Sequence, residues 1–408
     1  MPIFKRHFLL LILIAFLGIH AHGANGYQQF ADLFRAGLDA EDSGNFDDAI
    51  SKFSEALKIY PDSARAWTKR GEIHLRKGDA QAAIKDFTQA VKLDPAYSEA
   101  FSRLGFAYNA VNDYDKAIAV LSVAVKLDPS SSEAFNTRGF ALNGKNEYAV
   151  AVKDFDKAIL LNGKDARFYN NRGFALNGLH QYSKALQDFN RAIELDTSNP
   201  MFYNNRGVAY LRLKQFDKAL EDFDKALKLD SKFVSAYHNK GMAFSGKGRH
   251  DKAVEEFSKV MEMNPDSPVL YKDRGTAHRQ LGEYELALQD LEKSISLDNK
   301  FAPGYAALAL LRVMAPDPPI KNTAVGLRLA ERAVALTNEK SPDMLETLAQ
   351  VQHELDRRSE AVKTLQKALA LDASNQNYRD LFQKWTGRPV GDTSTVAKKK
   401  QGLFDSLW

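Results

Sequence analysis

Cysteine is absent from the 408 residues. That absence excludes disulfides, thiol catalysis and thiolate metal sites. It also excludes a lipid carried on a cysteine behind the N-terminal apolar run. An excess of charge of one sign is lacking too: 56 Lys plus Arg stand against 52 Asp plus Glu, a formal net of +4. Such a balance leaves no electrostatic case for nucleic acid or for an anionic membrane surface. Histidine is sparse, nine in all. No two His have the helical spacing of a zinc protease, and no phosphate-cradling glycine loop occurs. Without clustered acid, base, nucleophile or metal groups, the chain reads as a non-enzyme with no cofactor, no metal and no small-molecule substrate.

Long hydrophobic runs are lacking apart from one at the start. Phe8 to Ile19 are apolar or small, behind Lys5 and Arg6 and ahead of Ala21, Gly23 and Ala24. This is the layout of a secretory signal peptide over residues 1–24, and it is short of the roughly 20 apolar residues that a membrane-spanning helix needs. The expectation is an exported protein, periplasmic or secreted. The alternative is an uncleaved segment that anchors the chain to a membrane.

What the sequence does contain is a period. "FNTRGFALNG" from Phe135 returns as "YNNRGFALNG" from Tyr169 and as "YNNRGVAYLR" from Tyr203, each displaced by 34 residues. From Phe30 to Phe301 the chain divides into eight units of this length, numbered here 1 to 34. Position 8 is Gly in all eight, from Gly37 to Gly275, and position 20 is Ala in all eight, from Ala49 to Ala287. Position 24 is Phe or Leu throughout, and position 4 is aromatic from Trp67 to Tyr271. Positions 4, 8 and 11 share one helical face, as do 20, 24 and 27. Each unit is therefore two amphipathic helices, with Gly and Ala removing bulk where they must approach closely. A turn residue near position 15 joins them, and Pro at 32 in four units ends the second helix. Position 7 is basic in six units, and in the same six position 23 is acidic; the two units with Ala36 and Leu104 at 7 carry Lys52 and Val120 at 23. This co-occurrence predicts an ion pair bridging the two helices of one unit.

The pattern of aromatic, Gly, Ala, Phe, Ala and Pro at these offsets resembles the tetratricopeptide repeat. The resemblance implies an all-α fold, a right-handed α-solenoid of helical hairpins whose first helices line a concave groove that holds a protein or extended peptide. It divides the chain into eight regular units over residues 27–301, divergent repeats with a capping helix over 302–385, and a disordered tail over 386–408. The divergent part contains Pro316, Pro318 and Pro319, and the tail ends in Leu403, Phe404, Leu407 and Trp408.

The resemblance also places positions 2, 5, 9 and 12 in the groove. Position 12 reads Asn109, Asn143, Asn177; position 5 reads Asn136, Asn170, Asn204; position 6 adds Asn171, Asn205, Asn239; position 9 reads Phe106, Phe140, Phe174. Asn offers both donor and acceptor, so a regular ladder of them suits the backbone of an extended peptide. The ladder at position 6 resembles that of the O-linked N-acetylglucosamine transferase superhelix. Two readings stay open: a peptide-binding ladder, or surface residues copied by duplication. A chaperone-tail clamp is not expected, because position 9 is never Asn. The function expected is a protein-interaction scaffold. The alternative is a structural assembly part, self-associating or tethered by its N-terminus.

Overall fold

The computed structural model describes residues 24–390. The expected signal segment up to Gly23 and the tail from residue 391 onward lie outside the described residues. Among the described residues every element is an α-helix, 21 in all. They fall into two compact units, one running to Ser198 and one from Asn199. The first contains α1 (Ala24–Asp42), α2 (Phe46–Ile59), α3 (Ala64–Arg76), α4 (Ala80–Leu93), α5 (Ser98–Ala110), α6 (Tyr114–Leu127), α7 (Ser132–Gly144), α8 (Tyr148–Leu161), α9 (Ala166–Gly178) and α10 (Tyr182–Leu195). The second contains α11 (Pro200–Arg212), α12 (Phe216–Leu229), α13 (Val234–Gly246), α14 (His250–Met263), α15 (Pro268–Leu281), α16 (Tyr284–Leu297), α17 (Ala302–Met314), α18 (Thr323–Leu336), α19 (Pro342–Glu354), α20 (Arg358–Leu371) and α21 (Gln376–Thr386).

Within a hairpin the chain reverses through one left-handed residue at position 15. Gly44, Gly78, Gly248 and Gly282 hold it, but so do Asn112, Asn146, His180 and Lys214, at φ between 57° and 61°. The next residue often caps the second helix: Asn45, Asp79 and Asp113 each accept a hydrogen bond from the backbone N–H three residues on, satisfying a donor that the helix end leaves orphaned. Between hairpins the chain turns on an Asp at position 31. Asp94, Asp128, Asp196, Asp230 and Asp298 accept from the N–H two residues later, an Asx turn. The aromatic at position 4 then reaches back to this turn. Trp67 Nε1 donates to the Pro61 carbonyl at 2.8 Å, and Tyr169 Oη donates to that of Gly163 at 3.2 Å.

The hairpin core is a crossing of two helices at a glycine. A Cβ on Gly173 would lie 2.7 Å from Cε1 of Phe189, and one on Gly139 would lie 2.7 Å from Cε1 of Phe155. Those rings and Ala151 and Ala185 are fully buried. All six expected ion pairs are present, from Arg70 with Asp86 to Arg274 with Asp290. Arg138 is typical: Nε and Nη2 donate to Asp154 Oδ2 and Oδ1, both at 2.7 Å, while Nη1 donates to Ser122 Oγ of the preceding hairpin at 3.3 Å. The same third contact joins Arg70 to Ser54, Arg172 to Asp156 and Arg274 to Ser258. The bond to Asp222 holds Arg206 charged, yet burial pushes the Asp222 carboxyl above the ordinary carboxylate range. A half-buried pair of this kind fixes register more than it adds stability.

The pattern changes after α16. Between α17 and α18 the proline-rich loop folds inward: Asn322 N–H donates to the Arg312 carbonyl at 2.7 Å, Arg312 Nη1 donates to the Ile320 carbonyl at 3.1 Å, and Ile320 is buried beside Leu308 and Leu311. The last helix, α21, covers the end of the core with Tyr378, whose hydroxyl donates to Asp343 Oδ1 at 2.5 Å, and with Trp385, which stacks on His353 at 4.5 Å between centroids. The expected start of the tail at residue 386 needs correction, since Thr386 is the last residue of α21 and Gly387 caps it in the left-handed conformation. At the other end, α1 begins at Ala24 and not at residue 27.

Two outcomes follow from this packing. Gly173→Leu forces a side chain into the Phe189 ring and lowers stability by about 1–3 kcal/mol in urea unfolding followed by helical circular dichroism; an unchanged midpoint would mean that the helices do not approach this closely. Asp154→Ala strands the half-buried Arg138 and costs about 3 kcal/mol, whereas Arg138→Met combined with Asp154→Leu returns to near the parent midpoint.

Candidate partner-binding face

The first helices of three consecutive hairpins, α5, α7 and α9, carry the same set of side chains. Phe106, Phe140 and Phe174 stand at position 9 and are 51%, 47% and 47% exposed. Phenyl rings left half in water at one position of three stacked helices form a row, and rows of exposed apolar area mark interaction sites. Other hairpins carry different residues there: Glu72 is buried, Met242 is exposed, and Val208 and Thr276 are partly covered.

The asparagines behave differently from the expectation. Asn109, Asn136, Asn143, Asn170 and Asn204 are buried, none more than 8% exposed; Asn171, Asn177, Asn205 and Asn239 are half-buried. Most are engaged inside the protein. Asn171 Nδ2 donates to Asn136 Oδ1 and Asn239 Nδ2 to Asn204 Oδ1, each at 2.9 Å. Asn109 Nδ2 donates to the Thr137 carbonyl at 3.0 Å, and Asn143 Nδ2 to that of Asn171 at 3.3 Å. The placement of Asn170 as a side chain looking out into a groove is therefore corrected: at 4% exposure it lies between helices, with Nδ2 donating to Asn171 Oδ1 at 3.3 Å. The physical reason is that successive first helices touch, so positions 5, 6 and 12 face a neighbour and not open solvent. One helix's own periodicity cannot reveal this.

The same stitch recurs with other chemistry. At positions 5 and 6 farther along, His238 Nε2 lies 2.8 Å from Asp273 Oδ2, and Lys272 also contacts Asp273. Burial alone would raise the Asp273 carboxyl, but His238 and Lys272 carry it below the ordinary range.

Sequence reasoning missed a second aromatic series. Tyr114, Tyr148 and Tyr182 open α6, α8 and α10, at position 17. Tyr148 meets Phe174 of the next hairpin edge-on, with ring centroids 6.5 Å apart. A glycine makes room for two of the rings: a Cβ on Gly144 would lie 2.5 Å from the Tyr114 ring, and one on Gly178 would lie 2.5 Å from the Tyr148 ring. The hydroxyls are held by the left-handed turn residue two positions earlier. Tyr114 Oη donates to Asn112 Oδ1 at 2.7 Å and Tyr148 Oη to Asn146 Oδ1 at 2.5 Å, while Tyr182 Oη lies 2.7 Å from His180 Nδ1. The available signal was co-occurrence: Phe at 9, Asn at 12 and Tyr at 17 appear together in these three units alone among the eight.

Ion pairs lie along these hairpins. Glu133 pairs with Arg167 at 2.9 Å, Asp113 with Lys116 at 2.7 Å, Lys145 with Asp115 at 2.5 Å, and Glu99 lies 3.9 Å from Arg103. Among the described residues no three His, Asp or Glu converge as a metal site would require. No helix there is long and apolar enough to cross a membrane.

Models described as tetratricopeptide repeat match residues 34–98, 74–138, 200–233, 234–267, 271–301 and 342–375, and one described as TPR repeat matches 179–214. No curated protein matches the chain. Among solved structures, a tetratricopeptide repeat protein from Parabacteroides merdae is similar at 20% identity and a TM-score of 0.52, over 60% of this chain and 98% of that one. Yeast Tom70 aligns over 92% of this chain and 99% of its own at 16% identity and a TM-score of 0.43. YrrB, described as having an unusual peptide-binding site, aligns over 46% and 97% at 22% identity and a TM-score of 0.38.

Asn136→Ala tests the stitching. Removing the acceptor of Asn171 Nδ2 inside a helix contact lowers stability by about 1–3 kcal/mol, read by thermal and urea unfolding. A loss below about 0.5 kcal/mol, as for an ordinary surface residue, would return Asn136 to the open face.

Proposed function

This chain belongs to the tetratricopeptide repeat family, whose members are protein-interaction scaffolds, and we propose that it holds a protein partner on the first-helix face of residues 98–195. The observation that carries this reading is the row of Phe106, Phe140 and Phe174, exposed at one position of three successive helices. Folding left these rings in water although the same helices bury Ala107, Ala141 and Ala175 completely. A partner that covers them gains apolar burial of about 25 cal/mol per Å². The buried asparagines support the reading indirectly. By tying neighbouring first helices together they keep the row rigid, so little ordering cost falls on binding.

The test is cross-linking and mass spectrometry of the full chain in its native host. Phe140→Glu with Phe174→Glu should abolish capture of the partner while helicity and the unfolding midpoint stay near the parent values. Retention of the partner, or capture of nothing but further copies of this chain, would refute the reading.

A further inference from the structure

We propose that Asn162 is a site of covalent modification, losing its side-chain amide to the backbone nitrogen of Gly163 and converting to aspartate and isoaspartate with water as the co-reactant. The tripeptide Leu-Asn-Gly stands at Leu142–Gly144, Leu161–Gly163 and Leu176–Gly178, and the first two continue alike into Lys145 and Lys164. Side-chain chemistry and chain neighbours are thus matched. What differs is the backbone into which each is built. A further Asn-Gly pair, Asn25–Gly26, follows alanine and lies inside α1.

The reaction needs the nitrogen of the following residue to strike the asparagine Cγ, and glycine puts no side chain in the way. A Cγ–N bond forms, the Cγ–Nδ2 bond breaks, and the proton shed by the attacking nitrogen leaves with Nδ2 as ammonia. The product is a five-membered succinimide. Water then opens the ring. Attack at Cγ restores the ordinary chain with aspartate, whereas attack at the main-chain carbon routes the chain through Cγ and gives isoaspartate.

Gly144 and Gly178 are the last residues of α7 and α9, where an N–H donates to the carbonyl four residues back. Asn143 is buried with Nδ2 on the Asn171 carbonyl at 3.3 Å, and the Oδ1 atoms of Asn143 and Asn177 are sealed from solvent. Neither closes the ring without opening a helix end and a helix contact. Asn162 instead stands exposed just after α8, at φ −145° and ψ 86°. Among the described residues nothing accepts from the Gly163 N–H. Turning that nitrogen toward Cγ breaks the Asx bond from the Lys164 N–H to Asn162 Oδ1 and the Tyr169 bond to the Gly163 carbonyl, both at 3.2 Å. A turn held by two such bonds opens far more often than a packed helix end. The fold also accepts the ordinary product, because Asp94, Asp128, Asp196, Asp230 and Asp298 make the same turn at position 31. The other Asn at this position, Asn264, precedes Pro265, which has no N–H to attack with.

The test holds the full chain at mildly alkaline pH, digests samples with trypsin at intervals and follows the peptides by mass spectrometry, where exchange of the amide for a hydroxyl adds about one dalton. The peptide Ala158–Lys164 should convert at least about tenfold faster than Gly139–Lys145 and Gly173–Lys184, whose helices must open first. In guanidinium chloride, with the helices gone, the three rates should converge. Gly163→Pro, which copies the Asn264–Pro265 pair, should abolish conversion at residue 162 in the folded and unfolded chain alike. Equal rates in the folded chain, no gain of mass in Ala158–Lys164, a difference that persists in guanidinium, or conversion that survives Gly163→Pro would overturn the proposal.

Discussion

The crossing of two helices at a residue without a Cβ sets the dimensions of every regular hairpin. Where Gly173 meets the Phe189 ring, a single added carbon would sit 2.7 Å from the ring, closer than carbon atoms approach at all. Glycine in a helix interior costs about 1 kcal/mol against alanine. It is tolerated here because the large residue at position 24 then fills the gap and is lost completely to solvent. Once that distance is fixed, the arginine at position 7 can reach the aspartate at 23 with both oxygens in fork geometry, which a wider crossing would not allow. The buried ion pair is thus a consequence of the close crossing and a lock upon it.

Hairpins are then joined by polar groups as much as by apolar ones. A short hairpin has too little interior to hold itself, and each depends on its neighbour for cover. Apolar contact alone would let two smooth helices slide. The third donor of Arg138 on Ser122, the amide pair of Asn136 and Asn171, and the His238 contact with Asp273 each demand one register. That positions 5 and 6 accept either two amides or an imidazole and a carboxylate shows that geometry is the requirement there and chemistry the variable.

Much of the fold was legible in the sequence because a strict 34-residue period repeats each packing constraint eight times. Gly at 8, Ala at 20 and the matched charges at 7 and 23 could be assigned by comparing units with one another. The site was legible only in part. Phe106, Phe140 and Phe174 are exposed, yet the asparagines between them are stitches, since helical periodicity assigns a residue to a face without saying what stands opposite. Tyr114, Tyr148 and Tyr182 escaped notice because their partners lie elsewhere in the chain: a turn residue two positions back and, for two of the rings, a glycine in the following hairpin. The polar residues at the left-handed turn, Asn112 and Asn146, looked like ordinary breakers until the bound hydroxyls gave them a second task.

The aromatic face differs less between hairpins than the packing beneath it. The hairpin from Ser98 to Leu127 has diverged from the next two where packing is most demanding: Leu104 replaces arginine at position 7, Val120 replaces aspartate at 23, and Leu121 replaces phenylalanine at 24. Its Phe106, Asn109, Asn112 and Tyr114 nevertheless match Phe140, Asn143, Asn146 and Tyr148. Of this set Phe106 stands in solvent, while Asn109 is bonded to the next hairpin, Asn112 accepts from Tyr114 and the Tyr114 ring sits over Gly144. The retained set also carries costs that folding alone does not recover: half-exposed phenyl rings, amide oxygens buried without a donor, and non-glycine residues at positive φ, each of the latter about 1–2 kcal/mol above a right-handed residue. Under the proposed function, part of that burden is offset when a partner covers the rings.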